Sequence, residues 1–235
     1  MLKEELIKSN PLRALCSTEK VVYDRRVGLI MARAGVGKTS LLVQIALDNM
    51  LRARNILHVS IGQSLDKTKI WYEDIFNHIV AGHDHREIAS IREDMIRRRM
   101  IMTFKADIFS VSKLEERLRD LVDQHIFRPD CVLVDGFDCA LTDQKELSDI
   151  RQLMIDMDMN VWITSRSHRD DKRVSASGTP APCHELDSLF DTVIVLEPKP
   201  EEKSIALKLI KDPADIADLG SHINLDPATL MLKKG

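Results

Sequence analysis

Several familiar signals are missing from this chain, and each absence narrows it. No apolar run approaches the ~20 residues that a helix needs to cross a bilayer. The opening Met1-Leu2-Lys3-Glu4-Glu5-Leu6 is charged and amphipathic, without the apolar core of a signal peptide. No membrane partner is expected, and a cytoplasmic location is. The cysteines at 16, 131, 139 and 183 form no C-x-x-C pair, so reduced thiols are expected, with Cys131 packed in a strand. Internal repeats and low-complexity segments are absent. A net charge of −3 argues against a dedicated nucleic-acid binder, although a local basic face remains compatible with it.

What is present begins with length. The 235 residues suffice for one large α/β domain with a proper core. The chain is organised around Ala32-Arg33-Ala34-Gly35-Val36-Gly37-Lys38-Thr39. An apolar run, 27–31, precedes this stretch, and a helical pattern opening at Ser40 follows it. Strand, glycine-bearing turn, Lys-Thr and helix is the context of a phosphate-binding loop. A turn free of bulky side chains lets successive backbone N–H groups converge on phosphate oxygens, and the helix N-terminus adds partial positive charge. Lys38 is expected to reach the β- and γ-phosphates, and the Thr39 hydroxyl to ligate Mg²⁺. The first glycine of the usual motif is replaced by Ala32, while Gly35 and Gly37 are kept.

The second anchor is Cys131-Val132-Leu133-Val134-Asp135, an apolar strand ending in an acid. A parallel strand of this kind sets one carboxylate beside the loop, where Asp135 holds Mg²⁺, usually through water. Asp138 lies beyond the strand and ranks lower. A further strand, 160–165, ends in Thr164 and Ser165, at the end of a parallel sheet where ligands bind. Thr164 or Ser165 is a candidate sensor of the γ-phosphate.

The remaining elements read as follows. Residues 1–9 form an amphipathic helix and 10–26 a connection. A strand covers 55–61, and a helix over about 66–80 carries Asp66 as N-cap. His83-Asp84-His85, with His78 nearby, is a turn in which a metal reading is outweighed by ordinary exposure. A charged helix over about 86–99 carries Arg92, Arg97, Arg98 and Arg99; a solvated face outweighs a phosphate-binding patch. A strand at 100–104 precedes a helix with capping-box spacing at Ser112 and Glu115. Another helix spans 143–157, followed after the 160–165 strand by a long polar loop at 167–184, of a kind usually functional or mobile. Strands at 189–196 and 204–210 pair antiparallel across a short turn, and the tail, 223–232, suggests a small hairpin.

With loop, acidic strand, polar strand and closing hairpin in this order, the chain resembles the RecA-like P-loop ATPases. The likeness is nearest to the branch of DnaB-type helicase ATPase domains, RadA-like repair proteins and KaiC-like proteins. It implies an α/β fold with a mainly parallel central sheet flanked by helices, and a C-terminal antiparallel hairpin. It divides the chain into an N-terminal arm, 1–14, and a RecA-like domain, 15–235. It implies ATP and Mg²⁺ as cofactors, with the nucleotide held by 32–40 and Thr164, the metal by Thr39 and Asp135, and assembly into a ring or dimer.

Two departures qualify the likeness. The family's second strand is normally followed by a Glu that polarises the attacking water, but here the stretch is Ser60-Ile61-Gly62-Gln63-Ser64. Gln63 can orient a water but does not readily take its proton. With Lys38 and Asp135 it completes the candidate catalytic set, and slow hydrolysis or nucleotide-dependent switching is expected. If a carboxylate replaces the missing base, Asp66 and Glu73 come first. The second departure is after the hairpin strand, where Lys208 and Lys211 stand without an Arg, and a lysine lacks the bidentate fork. The alternatives are a DNA-stimulated motor, a small-molecule kinase with a lid at 166–173, and a scaffold keeping a relic site. No Asn-Lys-x-Asp base reader follows the acidic strand, which favours ATP over GTP.

Overall fold

Three strands of this chain are buried along their whole length, as continuous apolar runs require when a sheet is covered on both faces. The computed structural model describes residues 2–8, 10–11, 13, 27–168, 170–212 and 222–233. Most of the expected 10–26 connection lies outside them. In chain order the described elements are α1 (Leu2–Lys8), β1 (Val27–Ala32), α2 (Lys38–Leu51), β2 (Ile56–Ile61), α3 (Leu65–Ile79) and α4 (His85–Arg97). Then come β3 (Arg99–Phe104), α5 (Val111–Asp123), β4 (Cys131–Asp135), α6 (Gln144–Asp156) and β5 (Asn160–Arg166). A 3-10 turn (Cys183–Leu189) leads into β6 (Thr192–Lys199), β7 (Ser204–Lys211) and β8 (His222–Leu225).

The eight strands form one sheet in the order β3-β2-β4-β5-β1-β6-β7-β8. The first six run parallel; β7 and β8 are antiparallel additions at one edge. Alternation of side chains along each strand splits the core in two. Ile30 and Ala32 of β1 face α2, α3 and α4, whereas Leu29 and Met31 face α5, α6 and the 3-10 turn. No described helix is long and apolar enough to cross a membrane.

The helix that follows the glycine turn is the most enclosed. Every residue of α2 from Ser40 to Leu51 is buried. Part of its cover is α1, whose Leu2 and Leu6 join the same core. Lys3 of α1 pairs with Asp94 at 3.4 Å. This amphipathic arm therefore finds its apolar partner on its own domain.

Several boundaries differ from the sequence expectation for local reasons. Ser64, not Asp66, caps α3: its extended backbone turns the side chain onto Lys67 N. Ser110 likewise caps α5 by accepting from Lys113 N, leaving Ser112 inside the first turn while Val111 is buried. The strand expected at 189–196 starts later, because 183–189 closes into the 3-10 turn and Asp191 ties down the entry. Its backbone N donates to Val27 O at 2.8 Å, and its carboxylate accepts from Val27 N at 2.9 Å. The tail does close on itself as expected, Leu225 bridging antiparallel to Leu232 and Lys233 N donating to Asn224 O at 2.9 Å, but it is also tied into the sheet. β8 pairs with β7, and residues 226–230 turn back toward the glycine loop.

Candidate functional site

The carboxyl ends of β1, β4 and β5 meet at the N-terminus of α2. Gly37 stands before that helix with φ 105°, a conformation that suits glycine, and a Cβ there would lie 2.3 Å from Leu230 Cδ1. The loop thus needs glycine for its backbone, and the tail packs directly on it. Gly136, just after β4, has φ 88°, and a Cβ there would meet Ile61 O at 2.8 Å. The turn after the acidic strand can therefore sit directly against β2.

β5 lies between β1 and β4, and this order places Thr164 between the loop and the acid. Thr39 Oγ1 donates to Asp135 Oδ2 at 2.8 Å. Thr164 Oγ1 donates to Asp135 Oδ1 at 2.6 Å and accepts from Gly136 N at 2.9 Å. Both carboxylate oxygens are thereby fixed by hydroxyls from different elements. The single Thr164 proton is committed to Asp135, so Thr164 bears on a ligand by orienting that carboxylate. Ser165, one residue on, faces the opposite side of the sheet and contacts Cys183.

Lys38 Nζ donates to the carbonyls of Ala32 and Arg33, each at 3.0 Å. An ammonium has three donors, so one remains for an anion. Burial lowers the Lys38 pKa from its ordinary value; Asp135 raises it and Arg166 lowers it further. Arg166, at the end of β5, pairs in register with Ala32 of the loop.

Two cavities meet here. One, of about 270 Å³, runs over Gly35 to Ser40 and is bounded by Lys67, Trp71 and the tail at Pro227, Ala228 and Leu230. The other, of about 360 Å³, lies beyond Lys38 and is bounded by Asp138, Thr164, Arg166 and His168. Lys38, Thr39, Gln63 and Asp135 line both. Gln63 is exposed at their junction, where a water-orienting amide is useful. The tail is held in place by Gln44 of α2, whose amide donates to Leu230 O at 3.1 Å.

The set fits a Mg²⁺–phosphate ligand. Magnesium takes oxygen donors, keeps several waters, and needs only one or two protein groups alongside substrate phosphates. The Thr39 hydroxyl and Asp135 carboxylate, already in contact, supply that pair. Among the described residues no group of three or more His, Cys, Asp or Glu forms a metal cluster.

Other candidate residues are placed elsewhere. Glu73 pairs with Arg92 on the far side of α3, and neither it nor Asp66 lines the two cavities. The carboxylate that does reach the second cavity besides Asp135 is Asp138. Arg97 pairs with Glu93 and Arg98 with Asp94, while Arg99 lies over the Tyr72 ring at 4.2 Å. These guanidiniums serve contacts within the chain. His83 donates to Val80 O, and Asp84 caps α4. Lys208 pairs with Glu197 at 2.5 Å, and Lys211 donates to Asp187 O at 2.7 Å.

Sequence reasoning passed over Lys67, Trp71 and the Pro227–Leu230 turn as wall residues, and named Arg166 only as the start of a kinase lid at 166–173. Lys67, Trp71 and the turn gave no local signal, because they reach the loop through tertiary packing. No protein-family model matches the chain, and no curated protein matches it either.

Proposed function

We propose that this protein is a RecA-like P-loop protein that binds MgATP between the glycine loop and the tail, and acts as a nucleotide-dependent switch with slow hydrolysis. The observation that carries the reading is the Thr39–Asp135–Thr164 hydrogen-bond line at the mouth of the loop. In this reading backbone N–H groups of 34–40 and Lys38 hold the phosphates, while Thr39 and Asp135 hold Mg²⁺. The metal neutralises phosphate charge when bound. Gln63, which lines both cavities, would orient an attacking water in this reading, but a neutral amide is a poor proton acceptor.

A DNA-stimulated motor is the second reading, and it rests on the resemblance alone. Phosphate release measured with and without single-stranded DNA separates the two. Slow release unchanged by DNA supports the switch. Stimulation by DNA to a motor-like rate overturns it, and would direct attention to Asp138 as base.

A further inference from the structure

A third cavity, of about 370 Å³, adjoins the nucleotide cavities and shares His168 with the second of them. Its walls are the loop residue Arg33, the strand β6 at Val195–Pro198, and residues 167–168, 171–174 and 180. The stretch 173–181 is a built wall. Val174 bridges to Pro180, and Ala181 N donates to Arg173 O at 2.9 Å. Ser177 and Thr179 hydroxyls both donate to the Asp187 carboxylate, Thr179 at 2.5 Å, and Lys211 bonds the Asp187 carbonyl.

The charge inside is unbalanced. Arg173 pairs with Asp171 at 2.6 Å, and Glu197 pairs with Lys208. Both acids of the cavity are thus neutralised by cations. Arg33, Lys172 and His168, all exposed at its rim, line it with no hydrogen-bond or ion-pair partner for their side chains among the described residues. A concave, preformed wall carrying two unpaired cations, Arg33 and Lys172, beside an imidazole that can donate a hydrogen bond is an arrangement that binds a compact anion. The lining holds no Phe, Tyr or Trp, and single-stranded nucleic acid relies on such aromatic platforms.

We infer that this cavity is a second ligand site, taking a compact phosphorylated small molecule on Arg33, His168 and Lys172. The site goes beyond the nucleotide reading and does not require it. Arg33 links the two, because its carbonyl accepts from Lys38 Nζ at 3.0 Å while the residue also lines the second site.

The test is an amide NMR titration of the full chain with inorganic phosphate as probe, against chloride at matched ionic strength. The expected result is saturable shifts at residues 33, 172 and 197, which line the third cavity and neither nucleotide cavity, separate from those at 35–40. Lys172→Glu raises the half-saturating phosphate concentration of the first group at least fivefold, with the rest of the spectrum unchanged. In Lys38→Ala the first group persists, so failure of the nucleotide reading is seen at 35–40 alone. Equal shifts with chloride, or shifts confined to 35–40, overturn the inference. So does an oligothymidylate that saturates the same residues at lower concentration than phosphate and with steep salt dependence, which would make the ligand a nucleic acid.

Discussion

Acidification should weaken the fold through one buried imidazole. His58 lies on β2 with no exposed surface, its Nδ1 2.9 Å from the Tyr72 hydroxyl of α3. Burial pushes its pKa from 6.5 down to about 4; Asp135 of β4 raises it and Arg99 of β3 lowers it further. The folded state therefore keeps His58 neutral between about pH 4 and 6.5, while the unfolded chain takes up a proton there. Stability falls as pH falls wherever the unfolded state binds more protons. At about 1.4 kcal/mol per pH unit of differential protonation, His58 alone removes about 2 kcal/mol between pH 7 and pH 5. By pH 4 the loss reaches about 3 kcal/mol. Urea unfolding at pH 7, 6 and 5 of the parent and of His58→Gln isolates this contribution, because the other titrating groups are common to both. The parent should lose about 2 kcal/mol more than the variant across that range. Parallel losses in the two proteins would refute the argument.

Three further outcomes are expected. Gln63→Glu restores a carboxylate at the junction of the two cavities and should raise single-turnover phosphate release by about tenfold or more; an unchanged rate would remove Gln63 from the water position. Thr164→Val strips Asp135 and Gly136 N of a buried partner and should cost about 1–3 kcal/mol in denaturant unfolding, with Thr164→Ser retaining most of the stability. Leu6→Ala should cost about 2–4 kcal/mol in the same assay without changing the mass seen by light scattering. A fall in mass would mean that the arm serves a neighbouring subunit after all.

The parts legible in the sequence are those whose signal is local. The loop at 32–39 and the run 131–135 each carry their pattern within a few residues, and the fold brings Thr39 and Asp135 to 2.8 Å. Continuous apolar strands likewise announced a covered parallel sheet. Caps were misplaced by two residues because Ser64 and Asp66, or Ser110 and Ser112, have the same chemistry, and burial of Val111 helps decide between the serines. The tail was harder. Nothing near Leu230 signals that it will lie on Gly37, since Gln44, almost two hundred residues earlier, is what holds it. The third cavity depends in the same way on Asp187 joining Ser177 and Thr179 of one segment to Lys211 of β7.

The central claim is that residues 32–40 with Asp135 bind MgATP. Calorimetric titration of ATP with and without Mg²⁺, on the parent, Lys38→Ala and Asp135→Asn, tests it most directly. The account predicts saturable binding to the parent, at least a hundredfold weaker binding to Lys38→Ala, and loss of the magnesium dependence in Asp135→Asn. Equal affinity in all three, or no binding to the parent, would contradict it.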